Sequence, residues 1–186
     1  MSPLIINGRT EIALLNGCLS GDRKSQEAIF NIYAPKMMAV CVRYARHRHE
    51  AEDILQDGFV RIFSHLKQYG GQGSFEGWMR KIIINTAIRN TQKMAFSHED
   101  IGLENLPEES LNPEVFNTLN EEELLNLIAE LAEGYKLVFN LYAIEGYSHK
   151  EISELLNIEE STSRSQLAKA RRILQAKVNE IYNYAI

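Results

Sequence analysis

Long apolar runs, strand patterns and a cysteine framework are all missing from this chain of 186 residues. The longest wholly apolar stretch is a few residues, such as Ile82-Ile83-Ile84. A membrane-spanning helix needs about 20, so direct membrane insertion is excluded. The first residues, MSPLIINGRT, lack a basic start, an apolar core and a small-residue cleavage site, and no signal peptide is visible. The two cysteines, Cys18 and Cys41, sit among helix-forming apolar residues and read as reduced, buried thiols of a cytoplasmic protein. Alternating apolar–polar stretches are nearly absent, while apolar residues recur at three- and four-residue spacing almost throughout, which predicts an all-α chain. No period of about twenty to fifty residues repeats, which excludes a solenoid. Hydrophobic residues at 45% and charged residues at 24% are ordinary globular values and exclude general disorder.

Basic residues are missing from one whole segment. The formal net charge is −5, which taken alone argues against a nucleic-acid partner. Its distribution reverses that inference. Residues 1–96 carry thirteen Lys/Arg and eight Asp/Glu, a net +5; residues 97–134 carry eleven acids and no base; residues 135–186 carry seven bases and six acids. Within the last segment Arg164, Lys169, Arg171, Arg172 and Lys177 lie between Ser161 and Asn179 with no acid among them. Local charge is what attracts phosphate, so two basic modules flank an acidic joint.

The helical reading begins with Thr10 to Leu19, broken by Ser20-Gly21-Asp22. A second helix, Ser25 to Ala45, buries Ile29, Ile32, Tyr33, Met37, Val40, Cys41 and Tyr44, and Pro35 inside it predicts a kink or a short break. A third, Glu50 to Leu66, turns Ile54, Leu55, Phe59, Ile62, Phe63 and Leu66 inward and Asp53, Gln56, Asp57, Arg61 and Ser64 outward. After the turn Tyr69-Gly70-Gly71-Gln72-Gly73, a fourth helix starts near Ser74, with Trp78, Ile82 and the neighbouring isoleucines toward the core. Residues 97–119 are acidic, hold Pro107 and Pro113 and show no apolar period; they read as a linker, or as an ordered surface excursion. Helices resume near Asn120, with Glu121, Glu122 and Glu123 in a favourable first turn. The chain thus divides into two small helical domains, 1–96 and 120–186.

The second domain carries the sharpest motif. Ser148-His149-Lys150-Glu151 is a capping box that starts a short helix with Ile152, Leu155 and Leu156 inward. Asn157-Ile158-Glu159 makes a tight turn, and the next helix places Leu167, Ala170, Leu174, Val178 and Ile181 on one stripe. This is a helix-turn-helix from Ser148 to Leu174. Its second helix presents Ser161, Thr162, Ser163, Arg164, Ser165 and Gln166 as base-reading candidates, with Lys169, Arg171 and Arg172 for phosphates. An arginine suits guanine and a glutamine adenine. A charged helix face can also be merely solvated; the capped helix, the turn and the acid-free basic helix together favour duplex DNA.

Taken together, these segments are similar to a family. Glu145–Leu174 (EGYSHKEISELLNIEESTSRSQLAKARRIL) resembles region four of bacterial extracytoplasmic-function sigma factors of the sigma-70 family, which reads the −35 promoter element. Glu50–Leu66 (EAEDILQDGFVRIFSHL) looks like the region-two helix that docks on the clamp helices of the RNA polymerase β′ subunit, and Gly73–Asn90 (GSFEGWMRKIIINTAIRN) like the segment that melts and reads the −10 element. The resemblance implies a region-two bundle over 1–96, a region-four domain over 120–186 and an acidic linker between them. It assigns polymerase docking to Asp53, Gln56, Asp57 and Arg61. It matches Asn85 to an asparagine that bonds a flipped −10 base, with Arg80, Lys81, Arg89 and Lys93 as cations beside the captured strand. Trp78 reads as core before stacking platform. The implied partners are core RNA polymerase (β′ clamp helices and β flap), promoter DNA and an anti-sigma factor. The acidic linker fits a basic RNA exit channel, or mere solubility. The sequence departs from the family at Gly58, inside the docking helix, and at Glu159-Glu160-Ser161-Thr162-Ser163 and Gln166; the changes in the recognition helix point to an altered −35 preference.

A free-standing helix-turn-helix regulator is the alternative; it leaves the docking-like helix and the Asn85 segment unexplained. An enzymatic reading finds no phosphate-cradling glycine loop and no nucleophile–base arrangement. His47-x-His49 is the only tempting metal pair and sits in an Arg-rich helix end. No metal and no cofactor are expected.

Overall fold

A computed structural model describes residues 5–6, 9–95 and 120–183, the side chains of 5, 6, 9, 92–95, 121, 182 and 183 excepted. The expected linker, 97–119, lies outside the described residues. The chain separates into two compact units, residues 1–90 and 91–186. Apart from a two-residue antiparallel pairing of β1 (Ile5–Ile6) with β2 (Arg9–Thr10), the described residues form helices and turns.

The first unit is built from α1 (Glu11–Leu19), α2 (Arg23–Tyr44), α3 (Arg48–His65), a 3-10 turn (Leu66–Gln68) and α4 (Phe75–Ala95), whose last turn runs past residue 90. Short polar residues set the helix starts. Thr10 Oγ1 accepts from the Ala13 amide at 3.3 Å, and Asp22 Oδ1 accepts from the Lys24 amide at 3.2 Å. His47 caps α3, its Nδ1 accepting from the Glu50 amide at 3.2 Å; His49 lies 3.5 Å from Glu52. The tempting histidine pair is therefore part of a helix terminus. Among the described residues no cluster of three or more His, Cys, Asp or Glu is placed to hold a metal ion.

Ile29, Met37, Val40, Cys41, Tyr44, Ile54, Ile62, Met79, Ile83 and Ile84 are at most 1% exposed and form the core. Each such side chain contributes about 1.5–3 kcal/mol by leaving water. Pro35 does not break α2, which runs unbroken for 22 residues. A proline inside a helix costs about 3 kcal/mol, and the buried residues on both sides of it (Ile29 and Tyr33, then Met37 to Tyr44) offset that cost. Burial pushes the Cys18 thiol up to about 11 and Cys41 to about 12, leaving both protonated and unreactive.

The second unit comprises α5 (Glu121–Ala129), α6 (Glu133–Phe139) with a π-helical turn (Asn140–Ile144), α7 (His149–Leu156) and α8 (Glu160–Asn183). Both expected starts are reciprocal capping boxes, Asn120 with Glu123 and Ser148 with Glu151. In the second, the Ser148 amide donates to Glu151 Oε2 at 2.8 Å. Asn157 ends α7 in the left-handed region at φ 55°, giving the tight turn into α8. Val138, Leu141, Ile152, Ala170, Leu174 and Val178 are fully buried. Ile181, expected on the inner stripe, is 46% exposed because the inner stripe ends at Val178.

Candidate nucleic-acid interface

In the first unit, α3 divides its labour between two faces. Asp53, Gln56 and Asp57 are exposed on one side, and Val60, one turn further, is 69% exposed in line with them. The sequence reading misses Val60; its position seven residues beyond Asp53 is the signal that places it on the same face. Arg61 departs from this set. It is half-buried and turns toward α4, where it lines a cleft of about 300 Å³ with His65, Gln68, Trp78, Ile82, Asn85, Thr86 and Arg89.

Spacings of four, three and four along α4 explain the lining. Trp78, Ile82, Asn85 and Arg89 share one side of the helix, while Phe75, Met79, Ile83 and Ala87 turn into the core. Trp78 and Ile82 were expected in the core and are instead half-buried walls of the cleft. The reason is packing: Phe75 takes the interior position and stacks on Trp78 at 5.7 Å and 20°, while Tyr69 meets Trp78 at 5.5 Å. Tyr69 is itself held by its hydroxyl, which donates to the Gly73 carbonyl at 3.0 Å. His65 is fixed by its Nδ1, 2.8 Å from the Arg61 carbonyl. Of the expected −10 set, Asn85 and Arg89 line the cleft. Arg80 is half-buried and Lys81 exposed outside it, and the Lys93 side chain lies outside the described residues. The cleft therefore offers an aromatic wall, an amide that both donates and accepts, and two guanidinium groups. That is chemistry suited to a base and its phosphate.

Gly58 is the departure that the structure explains. It lies inside, against α4: a Cβ built on it would stand 2.2 Å from Ile83 Cδ1. It is a close-packing residue between two helices and belongs to neither exposed face.

In the second unit, α8 sorts its expected readers by burial. Ser161, Arg164, Ser165 and Lys169 are exposed on one face, with Arg172 half-buried at its edge. Ser163 is fully buried, and its Oγ lies 2.9 Å from His149 Nδ1. This takes it out of the set able to touch a base and makes it the pin between α7 and α8. Thr162 is half-buried, and its carbonyl accepts from Ser165 Oγ at 2.9 Å. Gln166 leans over α6: a Cβ on Gly134 would come within 3.2 Å of its Nε2. Arg171 sits over the Tyr142 ring at 5.7 Å, and His149 stacks on the same residue at 4.6 Å and 23°. Burial, with Arg164 and Arg171 beside it, lowers the His149 pKa below the ordinary 6.5, against the pull of Glu160. Arg164 Nη1 and Nη2 donate to Glu160 Oε2 at 3.1 and 2.7 Å.

Comparison with known proteins gives consistent matches. The Sigma-70 region 2 family matches residues 29–94 and the Sigma-70, region 4 family residues 121–174. The ECF RNA polymerase sigma-E factor of Haemophilus influenzae is 24% identical over 184 residues, covering 92% of this chain and 97% of that protein. The ECF RNA polymerase sigma factor SigW of Bacillus subtilis is 27% identical over 178 residues, 87% of this chain and 92% of SigW. Among solved structures, CnrH in complex with the cytosolic domain of CnrY has a TM-score of 0.50 at 17% identity, with 90% and 96% coverage. The sigma factor RpoE in complex with the anti-sigma factor NepR from Bartonella quintana also has 0.50, at 14% identity, with 83% and 96% coverage. These two establish a shared fold.

Proposed function

The chain belongs to the extracytoplasmic-function sigma factors of the sigma-70 family, and from that premise we propose how its residues share the work of initiation. It directs core RNA polymerase to specific promoters and promotes transcription initiation. In our reading it does so as a cytoplasmic, non-enzymatic factor, with no cofactor. Asp53, Gln56, Asp57 and Val60 dock on the β′ clamp helices, the acids meeting a basic partner and Val60 supplying the desolvated centre that interface energetics require.

The observation that carries the reading is the two-sided use of α3. Its exposed acidic face borders a side that lends Arg61 and His65 to the α4 cleft. One rigid helix therefore couples polymerase docking to strand capture. A −10 base unstacked from the non-template strand enters the cleft against Trp78 and bonds Asn85, while Arg61 and Arg89 neutralise its phosphates. Unpairing a base costs a few kcal/mol, which such stacking and hydrogen bonding offset without nucleotide hydrolysis. In the second unit Ser161, Arg164, Ser165 and Lys169 read the −35 duplex, and the unit contacts the β flap. An anti-sigma factor is the proposed regulator; RpoE of Bartonella quintana was solved with one. The domain limits 1–96 and 120–186 remain our proposal for where the two working parts divide.

Reconstitution with core polymerase on genomic fragments tests the function. Discrete start sites that require this chain are expected, and absence of specific initiation would overturn the reading. A gel shift separates the alternative: a free-standing regulator binds its duplex tightly without polymerase, whereas this chain needs core enzyme.

A further inference from the structure

The start of the recognition helix carries a contact that the promoter-reading role does not require. Ser163 is fully buried and held 2.9 Å from His149, which sets the rotation of α8 about its axis. That rotation turns Glu160 and Arg164, one helical turn apart, to the side away from the core. Their exposure is 42% and 56%, so the pair is open to a ligand. The geometry of the pair is specific. Both terminal nitrogens of Arg164 donate to the same carboxylate oxygen, Oε2. Those two nitrogens form the end-on fork with which an arginine addresses paired acceptors such as guanine O6 and N7. Glu160 thus occupies the donors that a base must recruit.

We propose that Glu160 is a specificity-determining residue of the −35 reader, an intramolecular competitor that a base must displace from Arg164. The inference rests on the reading of Arg164 as a base contact. A guanine presents two acceptors and replaces both bonds made by the carboxylate. A base edge presenting one acceptor replaces only one, and Arg164 stays on Glu160. Exposed pairs of this kind are worth little, so the competition is a modest brake that the correct base releases. The adjacent Glu159 is exposed with the same charge and makes no ion pair with Arg164. It serves as the internal control for general repulsion of DNA.

The experiment uses holoenzyme assembled from core polymerase and the full chain, selecting from promoters with a fixed −10 element and a randomised −35 hexamer. Wild type and Arg164→Ala together identify the position whose guanine preference depends on Arg164. At that position Glu160→Gln is expected to raise affinity for guanine about two- to fivefold over Glu159→Gln. In the Arg164→Ala background the two glutamine variants should behave alike. Equal gains for both variants at every sequence would reduce Glu160 to general repulsion and overturn the proposal. A fall in guanine affinity in Glu160→Gln would also overturn it, because the carboxylate would then be orienting the arginine. If Arg164→Ala changes no preference, the base-contact reading fails and takes this inference with it; if only the Glu160 effect is missing, the base-contact reading stands.

Discussion

Gly58 offers the sharpest quantitative test, because the structure gives its neighbour and the distance. Replacing it by alanine improves intrinsic helix propensity by about 1 kcal/mol. It also drives a methyl group to 2.2 Å from Ile83 Cδ1, and Ile83 is fully buried, so its Cδ1 must move aside within the core. Overpacking of this sort costs about 1–3 kcal/mol, so Gly58→Ala alone should destabilise the first unit by about 0–2 kcal/mol. The next atom of Ile83, Cγ1, lies at 3.5 Å, an ordinary contact. Ile83→Val removes Cδ1, at its own cost of about 0.5–1.5 kcal/mol. In that background Gly58→Ala should become stabilising by up to about 1 kcal/mol, a coupling of about 1–3 kcal/mol. Urea unfolding followed by tryptophan fluorescence reads the first unit alone, since the chain's one tryptophan is Trp78. Polymerase affinity, corrected for the folded fraction, should not change, because Gly58 faces α4. If Gly58→Ala is as destabilising in the Ile83→Val background as in the wild-type chain, the close approach of α3 and α4 is not what the glycine serves.

Three further outcomes follow from the site. Asn85→Ala should leave polymerase binding intact and impair open-complex formation, read by permanganate reactivity of the −10 thymines; normal opening would remove Asn85 from strand capture. Reversing Asp53 and Asp57 to lysine should abolish co-purification with core polymerase, and Val60→Asp should weaken it while leaving the urea midpoint of Trp78 fluorescence within about 0.5 kcal/mol, the usual range for a surface change; undiminished co-purification would move the docking face elsewhere. His149 supplies a pH dependence. Its pKa is lowered in the folded chain, so below about 6.5 the unfolded state takes up more protons and stability falls as pH falls. Urea titrations by circular dichroism at about pH 7.5 and about pH 5.5 should show this slope in wild type, and His149→Gln should lack part of it; identical slopes would refute the lowered pKa of His149.

What was legible in the sequence follows from what periodicity encodes. The capping box at Ser148 is local, complete within four residues and independent of distant packing, so the sequence displays it whole. The exposed acids of α3 were equally visible, since one helix turn fixes which residues share a face. Features that depend on a second helix were not. Ser163 and Ser165 are chemically alike and two residues apart, yet one is a buried pin and the other stays exposed, decided by where His149 stands. Lys136 resembles a surface residue and is 1% exposed, its charge met by Glu133 at 3.3 Å. Hydrophobicity alone points Trp78 into the core, but Phe75 holds the core position and leaves the larger indole to wall a cleft. That displacement creates the site: an aromatic residue fully inside the bundle could not meet a base, and one fully outside would lack the Tyr69 and Phe75 packing that holds it. An aromatic wall suited to a base therefore has intermediate burial, as Trp78 does, and that is a property of how Tyr69 and Phe75 pack around it rather than of its own hydrophobicity.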